Sequence, residues 1–514
     1  MLRKLLPGLM AATALAGCTV GPNYTPPEVE TPARFAEPQP QGSTDTVDLA
    51  HWWTAFGDPQ LDELIRTALA DSPDVKTAAS RLREARIGET LARASYLPQV
   101  NASGGFNHIE FSKNAGLSQI AKAFGGSGGD SGGGDGGSGQ APGGIALPGS
   151  GISTYSAGFD ASWEIDLFGG RQRSIEGASA RVDLAQWNAR DAAVSLAAEV
   201  ARTYLELRTL QHREAVLREE IARQERMVSL QANRAKVGLN PVTDTVRENA
   251  SLQATQAQLY PLAVQERIHM HALAVLAGKA PGSMIETLSR PDPVAAIPPA
   301  VPAGLPSELL RRRPDVRAAE RQLAAATADV GVSVANLYPK FSLTGAAQLI
   351  STALSSLIST DSLQLQGAAN ATFPILDFGR RRAQVDQRRE ARQQAYYNYQ
   401  KTVLGAFKDV EDALARVDGE QQRRKNLLDS VASAQRSLAA VDARYSVGLV
   451  DISAVLQARA SLIQQRQSLA ESTGTLQEAL ASLYKALGGG WDEATLQQIE
   501  AIPPAQLDAK DAGS

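Results

Sequence analysis

From Ala178 to Val237 the sequence runs without a glycine or a proline, and its apolar residues keep helical spacing. At 1.5 Å per residue, the stretch from Gly170 to Gly238 predicts a helix roughly 100 Å long. That is far too long for a helix inside a compact domain. The run ends at Val237-Gly238-Leu239, and Pro241 follows. Glycine tolerates the left-handed conformation that stops a helix, and proline suits the first position of a new one. The pattern therefore predicts a hairpin tip, with a return helix from about Val242 to Leu276 kinked near Pro261.

The same design occurs twice. Arg444-Tyr445-Ser446-Val447-Gly448-Leu449 forms a second tip, 210 residues after the first. Ser72-Pro73-Asp74-Val75 matches Arg313-Pro314-Asp315-Val316, and Tyr96-Leu97-Pro98 matches Leu337-Tyr338-Pro339, both at an offset of 241. Beyond these the offset falls to 210, as in Phe168-Gly169 and Phe378-Gly379. The difference lies at one loop, where Gly125 to Gly139 is almost pure Gly, Ser and Asp. That run reads as an insertion in a tolerant loop. It lacks the spaced apolar residue of calcium-binding repeats. In the second long helix, Leu427, Val431, Ala434, Leu438, Val441 and Tyr445 are spaced as a coiled-coil seam.

Between the helices the period changes to 2. Tyr155, Ala157, Phe159, Ala161, Trp163, Ile165 and Leu167 alternate with Ser156, Gly158, Asp160, Ser162, Glu164 and Asp166. This predicts a strand from Tyr155 to Phe168 with one apolar and one acidic face. Val100, Ala102, Gly104 and Phe106 form a weaker partner. A second hairpin uses Phe341 and Leu343, then Leu363, Leu365, Ala369, Ala371, Phe373 and Ile375. Apolar-out, polar-in strands of this length mark a membrane barrel, but four strands cannot close one. Open edges are not tolerated in lipid, so several chains must pool their strands and long helices into one barrel and tube. Asp160, Glu164 and Asp166 would line its lumen and favour cations.

The organisation follows as a signal peptide 1–17, an extended tether 18–56 and a first repeat 57–280. A Pro-rich connector 281–306, a second repeat 307–488 and a tail 489–514 complete it. The first repeat holds a β-hairpin 97–168 with its Gly-rich loop 125–151 and a coiled-coil hairpin 171–278. The second holds a β-hairpin 339–377 and a coiled-coil hairpin 380–488. Two helices are expected from Pro59 to Ala94, broken near Ser72. Trp52, Trp53 and Phe56 anchor the tether to the body.

Arg3 and Lys4 precede an apolar run from Leu5 to Ala16, too short to span a bilayer. It ends in Leu15-Ala16-Gly17-Cys18, which resembles the lipobox of bacterial lipoproteins. The resemblance implies cleavage before Cys18 and acylation of this single cysteine. Cleavage removes two of 51 basic residues, leaving 49 against 55 acidic ones, so the chain becomes more acidic. A nucleic-acid partner held by a basic surface is excluded on that balance. Thr19 stands where an inner-membrane retention signal would be Asp, so the outer membrane is the expected destination.

The lipobox, Gly21-Pro22-Asn23-Tyr24-Thr25-Pro26-Pro27, Trp52-Trp53 with Phe56-Gly57-Asp58-Pro59, both Pro-Asp-Val helices and both Val-Gly-Leu tips lie in order along nearly the whole chain. Together they resemble the outer membrane factors, the TolC-like channels, and within them the efflux lipoproteins of the NodT subfamily. The resemblance implies a mostly α chain with a membrane β-barrel. Three copies would form a twelve-stranded barrel on a long α-helical periplasmic tunnel. It further implies a passive duct for small molecules, a periplasmic adaptor protein at the tips and an inner-membrane RND transporter. No cofactor beyond the lipid on Cys18 is implied. The duct of a type I protein-secretion system shares the fold. A coiled-coil scaffold without a pore would have no use for Trp163 and Ile165 facing lipid.

The family's tips close through a tyrosine just before the second tip glycine and an aspartate six residues after the first. Here these are Tyr445 and Asp244. The positions of the family's aspartate ring carry Ala454 and Gln457, so the ring is absent and Asp451 is its candidate substitute. The exposed tip residues Val237, Gly238, Leu239, Val447, Gly448 and Leu449, with Arg234 and Arg444, are the expected adaptor-docking surface. No metal site is expected: His269 and His271 do not share a helix face. Arg311-Arg312-Arg313 reads as a solvated run. No catalytic triad, phosphate loop or zinc spacing appears.

Overall fold

The computed structural model describes residues 19–38, 48–110, 151–289, 296–298, 304 and 306–504. Cys18 and nearly all of the Gly-rich loop lie outside the described residues. Two helices dominate: α3 (Gly170–Lys236) and α9 (Arg380–Ser446), each of 67 residues and so each roughly 100 Å long. Both stop in the same way. Gly238 and Gly448 each take a φ of 75°. At the first stop Leu239 N–H donates to Arg234 O (2.9 Å) and Gly238 N–H to Ala235 O (3.0 Å). At the second, Leu449 N–H donates to Arg444 O (2.9 Å) and Gly448 N–H to Tyr445 O (3.0 Å). These paired bonds satisfy carbonyls that a helix end would otherwise leave open.

The return helices differ. After the first tip come α4 (Val242–Ala257) and α5 (Leu259–Leu276), separated at Gln258. Pro261 has no N–H, and its ring opposes the carbonyl four residues earlier, at Ala257. Pro241 caps α4 from outside instead of occupying its first turn. After the second tip, α10 (Ile452–Ala486) is unbroken.

One compact unit comprises the described residues within 1–22, 90–175 and 329–388. It contains a four-stranded antiparallel sheet in the order β1 (Gln99–Glu110), β2 (Gly151–Ile165), β3 (Lys340–Ser351), β4 (Leu363–Thr372). Residues paired across neighbouring strands share a face. Ala102 pairs with Phe159, Phe159 with Ala347, and Ala347 with Leu365. Asn101 pairs with Asp160, and Thr344 with Ser162. One face is thus apolar and the other polar across all four strands, as the alternation requires. Strand β2 is displaced from its expected span: it begins at Gly151 and ends at Ile165. Asp166 has left the ladder, and its carboxylate accepts the N–H of Gln172 at 2.9 Å in the first turn of α3. Phe373 and Ile375 likewise lie beyond β4. Val20 N–H donates to Phe168 O (3.1 Å), which ties the tether to this unit.

The second unit comprises the described residues within 23–89, 176–328 and 389–514. Helix α1 (Pro59–Asp71) ends at Ser72, and α2 (Pro73–Ala94) restarts at once. Trp52 and Phe56 are fully buried, with Tyr484 of α10 at 5.6 Å from the Trp52 ring. Buried Asp58 accepts the N–H groups of Gln60 (3.0 Å) and Leu61 (3.3 Å), which caps α1. The Tyr204 hydroxyl donates to the same carboxylate at 2.6 Å. Buried Phe35 marks where the tether lies down, and the N–H groups of Ala36 and Glu37 donate to Glu411.

Two expectations change here. The tail contains a helix, α11 (Glu493–Ala501), started by a reciprocal Asp492–Thr495 cap. Trp491 before it meets Trp187 edge-on at 5.4 Å, and the Arg190 guanidinium lies over both rings. Arg313 is not solvated. It follows the short helices α6 (Ile285–Leu288) and α7 (Pro306–Arg312), precedes α8 (Pro314–Ala335), is mostly buried, and donates to Asp315 (2.7 Å), Asp409 (2.9 Å) and Ala486 O (3.3 Å).

Candidate gate and docking surface at the helical tips

The tips present apolar side chains to solvent. Val237, Leu239, Val447 and Leu449 are 70%, 73%, 68% and 74% exposed. The side chains of Arg234 and Arg444 are exposed beside them, while their carbonyls close the helix stops. Above the tips, the seam residues Leu427, Ala434, Leu438, Val441 and Tyr445 of α9 are half-buried and Val431 is buried, among exposed neighbours. The spacing of the sequence thus identifies the packed face of this helix.

The Tyr445 hydroxyl has a partner the sequence did not suggest. Gln231 of α3 is completely buried, and its amide donates to that hydroxyl at 2.8 Å. The Asn240 amide, in the first tip loop, donates to the Gln231 carbonyl oxygen. Tyr445, Gln231 and Asn240 therefore link the end of α9, the end of α3 and the loop. Among the described residues no hydrogen bond joins Tyr445 to Asp244. Asp244 lies in the first turn of α4, where a carboxylate suits the positive end of the helix dipole. Asp451 accepts the N–H of Ala454 at 3.2 Å and caps α10. A charged N-cap accounts for that residue locally.

Behind the tips lies a clamp that sequence reasoning missed. Arg459 of α10 reaches Glu248 of α4 at 3.1 Å and Asp442 of α9 at 3.9 Å. Glu248 is completely buried, one of its oxygens has no partner, and burial pushes its carboxyl upward. Three residues from three helices leave no local pattern to read. Higher up, Glu266 of α5 is buried, and its pKa rises to about 7 through burial, the Glu214 charge and a hydrogen bond with Glu214. Burial, helped by Glu206, also lifts Glu478 to about 7. His269 is engaged by Glu206 (3.1 Å) and by the Gln265 carbonyl (2.7 Å).

The three strand acids differ in their surroundings. Asp160 accepts from the Asn101 amide at 3.1 Å. Glu164 faces Arg171 at 3.5 Å and Lys340 at 3.7 Å, so two cations offset its charge. Asp166 caps α3. The cation preference expected of this trio thus rests chiefly on Asp160.

The family model described as outer membrane efflux protein matches residues 64–279 and 305–489. The pyoverdine export outer membrane protein OpmQ of Pseudomonas aeruginosa is 30% identical over 452 residues, covering 88% of this chain and 89% of that protein. The toluene efflux pump outer membrane protein TtgF of Pseudomonas putida is 31% identical, covering 95% and 98%. The solved outer-membrane channel OprN is 28% identical with a TM-score of 0.80, covering 92% of this chain and all of that one. The TolC-like fold implied by the sequence is the fold observed. The chain belongs to the outer membrane efflux protein family: it is a channel-forming chain of the outer membrane and not an enzyme.

Proposed function

We propose that three copies of this chain form the exit duct of a tripartite efflux pump. Their twelve strands make the barrel and their long helices the periplasmic tunnel. A lipid on Cys18 adds an anchor in the outer membrane, and no other cofactor is needed. An inner-membrane transporter of the RND type supplies the energy. A periplasmic adaptor protein engages Val237, Gly238, Leu239, Val447, Gly448 and Leu449, with Arg234 and Arg444 at the rim. The closed tip is held by Tyr445 and Gln231, with Asp244 and Asp451 at the adjoining helix starts.

One observation carries the reading. A single chain offers a sheet that is apolar on one face and polar on the other, and among the described residues both outer strands have an unpaired edge. Lipid tolerates such a sheet only when other copies close it. The cargo is a small molecule, and its choice belongs to the pump. Relatives of similar identity are named for pyoverdine export and for toluene efflux, which supports a duct that does not select chemically. Conductance in planar bilayers tests the proposal. Small closed-state steps that grow on Tyr445→Phe support a duct gated at its tips. Absence of any channel activity from the purified trimer would refute it.

A further inference from the structure

A cavity of about 360 Å³ opens where α3, α9 and α10 meet the start of α8. That is the size of a small-ligand pocket. Its wall carries five acids and five bases. Most of them are matched. Arg313 holds Asp315 and Asp409, Arg202 holds Glu199 at 2.6 Å, and Lys408 holds Asp412 at 2.6 Å. Three groups are left over. Among the described residues, Asp191, Lys485 and Arg416 make no hydrogen bond and no ion pair, although the Lys485 charge acts on Asp191. Asp191 is half-buried, and burial, reinforced by the Asp315 charge, pushes its carboxyl upward against the pull of Lys485 and Arg313. Buried Val194, Ala413 and Ala481 give the wall an apolar part.

The cavity has a definite side. At about 3.6 residues per turn, Asp191, Ala198 and Arg202 lie roughly 140° around α3 from Ala193, Ala197 and Tyr204. Those three pack in the core that holds Trp52 and Phe56 of the tether. The bore of a duct must stay open, so the side that carries the tether lies outside the tube. The cavity then opens towards the bore.

We propose that this cavity is a transit site for small zwitterionic solutes, with the ligand's ammonium group at Asp191 and its carboxylate at Lys485 and Arg416. The leftover charges select that class. A simple anion at Lys485 meets the charge of Asp191, and a simple cation at Asp191 meets two cations. A molecule carrying both signs satisfies each of them through charge-assisted hydrogen bonds. Its carbon chain lies along the apolar part of the wall. The inference rests on the duct proposed above and names a class of cargo that pauses in it. Other solutes pass without binding, so the duct stays unselective.

Calorimetric titration of the full-length protein in detergent tests it. The probe is γ-aminobutyrate, with butyrate and butylamine as single-charge controls. The zwitterion should bind roughly tenfold or more tighter than either control. Asp191→Asn should weaken γ-aminobutyrate by a similar factor and strengthen butyrate. Lys485→Gln should weaken γ-aminobutyrate and strengthen butylamine. A gain of affinity for one ligand beside a loss for another cannot come from misfolding. Channel activity of the same preparations in planar bilayers reports the duct separately. A conducting protein that binds no probe, prefers a single-charge probe or ignores both substitutions overturns the transit site and leaves the duct standing. Binding to a protein that forms no channel overturns the duct and, with it, the role in transit.

Discussion

Replacing Gln231 by alanine removes both bonds that tie Tyr445 to the first tip loop. Gln231 donates to the Tyr445 hydroxyl at 2.8 Å and accepts from Asn240. Each net hydrogen bond contributes about 0.5–1.5 kcal/mol, so the closed tip loses about 1–3 kcal/mol per copy. If the bonds exist only when the tip is closed, the ratio of open to closed shifts roughly 5- to 150-fold. Tyr445→Phe removes one of the two bonds and should give the smaller change. The double variant should change little beyond Gln231→Ala, because the bonds form one chain. Asp244→Ala should be near neutral, since that carboxylate makes no bond to Tyr445. Single-channel conductance in planar bilayers measures all four. A silent Gln231→Ala beside an active Asp244→Ala would refute the assignment of Gln231 as the lock and restore the aspartate partner implied by the family resemblance.

Glu266 holds its proton more tightly folded than unfolded, with a pKa of about 7 against an ordinary 4.5. The folded state then binds more protons between these values, so stability is highest below about pH 4.5, falls as pH rises towards 7 and is flat above. Glu266→Gln should raise Tm at pH 8 and leave it unchanged near pH 5; equal shifts at both would exclude titration as the cause. Arg459→Ala leaves completely buried Glu248 without its cation, which costs about 3–5 kcal/mol. Hydrogen exchange should then quicken at residues 231–250 and 440–455 before the rest of α3, and uniform loss of protection would count against a local clamp. A Cβ at Gly474 would collide with the Thr209 side chain, Oγ1 first. Gly474→Ala should therefore lower stability by about 1–3 kcal/mol, and Thr209→Ala should recover most of it in the double variant by thermal melting.

Periodicity and punctuation made most of this chain legible, because its architecture is built from long uniform elements. A seam at Leu427 through Tyr445 and two Val-Gly-Leu stops are local in sequence, and each appears in space where the spacing requires. Strand faces were legible for the same reason, since a period of 2 leaves one choice of face. Strand ends were not. Asp166 continues the alternation in sequence yet serves as the cap of α3, and alternation alone cannot tell a last strand residue from a first helix cap. What the sequence hid are contacts between helices far apart in the chain. Gln231 meeting Tyr445, Arg459 meeting Glu248 and Arg313 meeting Asp409 depend on which faces of straight helices end up opposed. A glutamine inside a polar helix, or an arginine inside a run of three, carries no mark of that. The internal duplication is a partial remedy: shifted along the repeat, the pair Gln99–Ser162 of the β1–β2 ladder becomes Lys340–Thr372, which the β3–β4 ladder contains. The same shift applied to the clamp carries Glu248 to Ala458 and puts no acid there. The repeat therefore preserves the strand pairing while the two tips have diverged, as expected if the strands must keep one register and the tips serve a gate whose two halves are unlike.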